Sequence, residues 1–271
     1  MSKFRYGCET YSWVMSGDKY LDKYPHICEI VKKAGFAGIE TGAPIMRRYF
    51  EDASLMTEVL EKNSLQFAAL GFSNQWRSST MSNEERKLVE KAFDFVKSFP
   101  EPRITLGHQS PDRSNLAERQ RNAIACVNEI GKRAVDRGIA CTFHPTSGPT
   151  SIFRTPDDYK VMMDLLDTRI VGYCPDSGHV VNGGMDVYDI FSTYASVIRH
   201  VHLKNITVDK AWAPMGEGSI DFPRLLKILH DAGYRGWIDI EEESSAAKVD
   251  PDIATLENGR YLTNTLLPLG Y

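Results

Sequence analysis

Short apolar runs alternate with longer amphipathic stretches along the whole 271-residue chain, which predicts repeated βα units around a parallel sheet. Eight strands are predicted, over 4–12, 37–41, 65–71, 103–107, 139–144, 170–175, 198–204 and 236–241. Helical patterns fill the intervals, notably 19–34, 52–63, 82–98, 114–137, 155–166 and 221–232. The punctuation agrees. Ser82 with Glu85 reads as a capping box, and Thr155-Pro156 places a proline at the first helical position. Gly35, Gly138 and Gly233 each follow a helical run, where the chain must make a left-handed turn before the next strand. The expected architecture is α/β: one (β/α)8 TIM barrel forming a single domain over 1–271. The long connection 206–220 is expected to act as a lid or substrate loop.

Strand alternation sorts the polar residues, because in a barrel one face of each strand meets the helices and the other lines the centre. In the fifth strand Ile139, Cys141 and Phe143 share the outer face, leaving His144 inward. In the sixth, Val171 and Tyr173 face out and Asp176 lies at the mouth. In the seventh, Val201 and Leu203 face out, so His200, His202 and Lys204 face in. Ile238 and Ile240 likewise send Asp239 and Glu241 inward, and Ile39 does so for Glu40. These polar groups gather at the C-terminal strand ends, where barrel enzymes keep their active sites. A carboxylate facing a packed interior is costly unless it is paired or bound to a metal, so a metal site is the economical reading.

Composition narrows the class. The formal net charge of -4 offers no basic face for nucleic acid, so a small-molecule partner is expected. No apolar run is long enough to span a bilayer and the first residues lack a secretory leader, so no membrane partner and a cytoplasmic location are expected. The 5 cysteines are spread without a CxxC pair and read as buried thiols. A homo-oligomer is compatible with all of this.

Four segments carry a resemblance: PDSGH (175–179), HVHLKN (200–205), GEGSIDFPRLLKILHDAGYRGWIDIE (216–241) and HPTSGPTSIFRTPDDY (144–159). In this order they resemble the xylose-isomerase-like barrel superfamily, the sugar phosphate isomerase/epimerase group, over nearly the whole chain. The resemblance implies one divalent metal, bound by Glu, Asp, His and Glu from strands five to eight. By residue match, Asp176, His202 and Glu241 take three of those places. The fourth departs, since the strand-five end offers His144 and no glutamate occurs between 140 and 153. Either His144 is the ligand or the site is rearranged. A set with an added imidazole suits manganese, cobalt, iron or zinc better than magnesium, and manganese is expected.

The resemblance also places His179 and Lys204 beside the substrate. Glu40, Trp13, Trp76, His108 and Glu217 lie at strand ends or in the following loops, as further pocket candidates, the aromatic ones as stacking surfaces or as ordinary packing. The activity implied is a sugar isomerase or epimerase acting on a ketose, keto-sugar or polyol through an enediolate, with Glu241 and His144 as the proton-transfer pair. The HP segment after strand five supports an alternative, a dehydratase or lyase acting on a keto-inositol or 3-keto-glycoside. A non-catalytic partner subunit with a decayed site is a second alternative. A repair endonuclease of the same superfamily would need a multi-zinc cluster and a basic face, which 7 histidines and the net charge of -4 argue against.

Overall fold

The computed structural model describes residues 4–271. Among the described residues ten strands form in chain order: β1 Arg5–Glu9, β2 Gly38–Gly42, β3 Gln66–Asn74, β4 Arg103–His108, β5 Ala140–His144, β6 Gly172–Tyr173, β7 Val201–Leu203, β8 Asn205–Ile206, β9 Trp212–Ala213 and β10 Trp237–Ile240. Eight of them make one parallel sheet in the order β6-β5-β4-β3-β2-β1-β10-β7. Parallel bridges from Tyr173 to Ile198 and from Asp176 to His202 join its two ends, so the sheet curls round on itself. This is the TIM-barrel arrangement expected from the strand and helix alternation.

Alternation does the sorting the sequence predicts. Ile39, Phe143, Val201, Leu203, Ile238 and Ile240 are buried in the apolar cluster, while Glu40, His200, His202, Lys204, Asp239 and Glu241 are buried polar groups. The helix over Asn83–Val96 opens with the Ser82/Glu85 capping box, and that over Pro156–Leu165 with a second box formed by Thr155 and Asp158. Gly35, Gly138 and Gly233 all have positive φ, the conformation a helix end needs here.

One expectation is corrected. The first strand ends at Glu9, because its pairing with β2 reaches no further, and the Thr10 carbonyl then accepts from the Trp13 and Val14 amides to start a short helix. Connection 206–220 is a pinned hairpin. Asn205 Nδ2 donates to the carbonyls of Pro214 and Met215, its Oδ1 accepts from the Ile220 amide, and the Ser219 amide returns to the Ile206 carbonyl. Helices Ser177–Asn182 and Pro251–Tyr261 lie outside the predicted set. The second escapes a periodicity argument because its apolar residues do not collect on one side.

Candidate metal centre at the barrel mouth

The ends of β5, β7 and β10 and the turn after β6 bring four side chains to one point. One ligand atom from each of His144, Asp176, His202 and Glu241 lies within 4.8 Å of all the others. Asp176 owes its place to the turn that ends β6, where its Oδ1 also accepts from the His179 amide and starts the next helix. Its second oxygen, Oδ2, has no hydrogen-bond partner, nor has His144 Nε2, 3.7 Å away. His202 turns Nδ1 to Glu241 Oε2 at 3.1 Å and Nε2 to Glu40 Oε2 at 3.1 Å. Buried N and O donors converging in this way, two of them without a hydrogen-bond partner, are the donor set of a first-row divalent ion. The residues present therefore fit the metal that the resemblance implies.

Lys204 runs alongside this cluster. Its Nζ is 2.7 Å from Glu241 Oε1 and 3.3 Å from Asp176 Oδ2, and it also contacts Glu243. Burial works against charging either carboxyl, yet the ammonium overrides it and holds Asp176 and Glu241 well below the usual carboxylate range. Glu243 is less favoured. Burial, reinforced by Glu241, pushes it up to about 7 despite Lys204. His179 is kept neutral by burial and by the same lysine, its pKa lowered to about 3, and Nδ1 lies 2.8 Å from Ser147 Oγ. Burial, with His202 beside it, also lowers the pKa of His144.

Above the cluster opens a cavity of about 360 Å³ whose lining includes Glu9, Glu40, His108, His144, His179, His202, Glu241 and Glu243. The structure thus collects most of the residues that the sequence singles out. Sequence residues Trp13 and Glu217 go elsewhere. The Trp13 indole is fully buried and donates to Asp252 Oδ1 at 2.8 Å, and Glu217 lines a separate groove with Glu242, Asp250 and Glu257. Trp76 is buried outside the cavity lining. His108 does line the cavity, with Nε2 on the Gln75 carbonyl at 2.8 Å.

Sequence reasoning missed Glu9, Glu243 and Trp212. The two glutamates were within reach of parity, since Glu9 shares a face with Gly7 and Glu243 with Glu241. Trp212 is brought by the hairpin, edge-on to His179 with ring centres 5.3 Å apart and under the Lys204 ammonium at 5.2 Å. No strand pattern reaches it.

The family described as xylose isomerase-like TIM barrel matches residues 28–263. The chain belongs to that family. An inosose dehydratase of Clostridium perfringens is 25% identical over 264 residues, spanning 84% of this chain and 85% of the relative. Among solved structures of this family's fold, the probable 3-DHS dehydratase involved in petrobactin synthesis from Bacillus anthracis superposes with a TM-score of 0.74 at 16% identity, covering 97% of this chain and 100% of that one. The IOLI protein, solved with a bound zinc atom, superposes with a TM-score of 0.75 at 14% identity over 96% of each chain. Within the family, then, the expectation of an isomerase is corrected. Inosose dehydratases, which are lyases, are among the relatives matched in sequence, and the alternative reading is the better one.

Proposed function

We propose that this protein is a metal-dependent dehydratase that removes water from a cyclic keto-polyol of the inosose type. The observation that carries the proposal is the convergence of His144, Asp176, His202 and Glu241 at one point, with Lys204 and Glu243 against them. Similarity to inosose dehydratases over 84% of the chain supports the substrate class.

Asp176, His202 and Glu241 would hold the divalent ion, with zinc or manganese the expected occupant. Held there, the ion would supply Lewis-acid polarisation of the substrate carbonyl and so acidify the adjacent C–H. His144 is neutral and its Nε2 has no hydrogen-bond partner, so it takes the proton from the carbon α to the carbonyl. The C–H electron pair forms the new C=C bond as the β C–O bond breaks. The leaving oxygen departs as water and therefore needs a proton. His144 and Glu241 both stand in their base forms and cannot give one. Glu243, pushed up to about 7 and in contact with Lys204, supplies it. Lys204 and His179 orient the departing hydroxyl. The products are water and an enone of the ring.

The reading is tested by incubating manganese- or zinc-loaded protein with a keto-inositol and following mass and ultraviolet absorbance. Loss of one water with a new conjugated absorption is the expected result. Formation of an epimer of unchanged mass would sink it.

A further inference from the structure

Beneath the mouth lies a second group of buried polar side chains that the reaction does not touch. Glu40 and Asp239 both approach His200 Nε2, at 2.6 and 2.8 Å, and Glu40 Oε2 also meets His202 Nε2 at 3.1 Å. None of the four is more than 3% exposed. We propose that Asp239, His200 and Glu40 form a positioning chain that sets the ring of His202, holding its Nε2 so that Nδ1 faces the metal. This rests on His202 being a metal ligand.

An ionised carboxylate only accepts hydrogen bonds, so with a cation bound beside Glu241 the contact with Glu40 leaves the proton of His202 on Nε2. Nδ1, 3.1 Å from Glu241 Oε2, is then the nitrogen that would bind the ion together with that carboxylate. Glu40 Oε2 is shared by the two imidazoles, and Asp239 Oδ2 approaches the same His200 Nε2 at 2.8 Å, which holds that ring against Glu40. Room for Asp239 is made by Gly7 on the neighbouring strand, where a Cβ would fall 1.8 Å from its Oδ1. The carboxylate–histidine–metal arrangement this creates orients a ligand and raises its basicity. Here the orienting carboxylate is itself held by a further histidine and carboxylate.

The same four residues could instead hold a second cation, since one atom of each of Glu40, His200, His202 and Asp239 lies within 4.8 Å of the others. The experiment separates these readings. Zinc affinity is measured by competition with a chromophoric chelator for the wild type, Glu40→Gln and Asp239→Asn. Long-range nitrogen–proton spectra are recorded on the zinc-loaded wild type, with His202 assigned from the signals lost in His202→Gln. The expected results are one zinc per chain, His202 protonated at Nε2 and metal-bound at Nδ1, affinity about 10- to 100-fold weaker in Glu40→Gln, and a smaller loss in Asp239→Asn. Two tightly held zinc ions, metal on Nε2, or an unchanged affinity in Glu40→Gln would each overturn the chain. Wild type that takes up no zinc or manganese overturns the metal reading of the mouth itself, a different failure. Should either variant fail to fold, the wild-type spectrum still decides which nitrogen carries the metal.

Discussion

Asp176 and His202 are bridge partners across the seam that joins the two ends of the barrel sheet, with the His202 amide donating to the Pro175 carbonyl at 2.9 Å. Two of the three proposed ligands thus sit where the strand ladder is thinnest, and a cation between them would tie β6 to β7 through side chains. A protein dialysed against mixed divalent ions is expected to retain about one equivalent of metal, set by its single mouth cluster. The Asp176→Ala/His202→Ala double variant should retain almost none by elemental analysis. Equal metal content in both would remove the site.

Lys204 and the metal share the same carboxylates, Asp176 and Glu241. In metal-free protein, Lys204→Met leaves these buried charges without their ammonium, a change that costs about 3–5 kcal/mol where buried pairs are broken. Added manganese should then raise the melting temperature more in the variant than in the parent. Thermal scans with and without the ion check this, and equal shifts would show that the lysine and the ion do not compete.

His144 is assigned to proton transfer. His144→Gln is expected to keep its metal while turnover falls about 10²- to 10⁴-fold, the range for loss of a general base. Metal analysis and steady-state kinetics on the same preparation are needed together. Loss of the metal would make His144 the fourth ligand instead.

Asp158 provides a pH prediction away from the chemistry. Buried beneath the loop after β5, it accepts from the Thr155 amide at 2.9 Å, from Gln120 at 2.9 Å and from Arg113 at 3.0 Å. Burial favours the neutral acid, but the Thr155 and Arg154 amides and Arg113 win and hold its pKa below the ordinary 3.8. A lowered acid contributes stability that is complete above 3.8 and is lost as pH falls through the folded value. Asp158→Asn should therefore cost about 2–3 kcal/mol at neutral pH, as charged hydrogen bonds do. Urea midpoints should show the gap to wild type narrowing below that pH; a gap constant with pH would exclude the charged network.

Period-two alternation let the sequence alone place Glu40, His144, His202, Lys204 and Glu241 inside the barrel, because which face a residue takes is a local property of an extended strand. Capping at Ser82 and Thr155 was legible for the same reason, being settled within four residues. The charge run at 241–243 was harder. Glu241, Glu242 and Glu243 look alike in sequence, yet one meets His202 and Lys204, the next bonds Ser244 and Asn258, and the third lies against Lys204. Only the tertiary structure separates them, since strand register and the curl of the sheet decide which inward groups meet. It also sends Trp13 to Asp252, a partner 239 residues away, and brings Trp212 to His179 through a hairpin that no periodicity marks. The sequence determined what faces inward. The closure of the sheet decided what touches what, because convergence at one point depends on every strand at once.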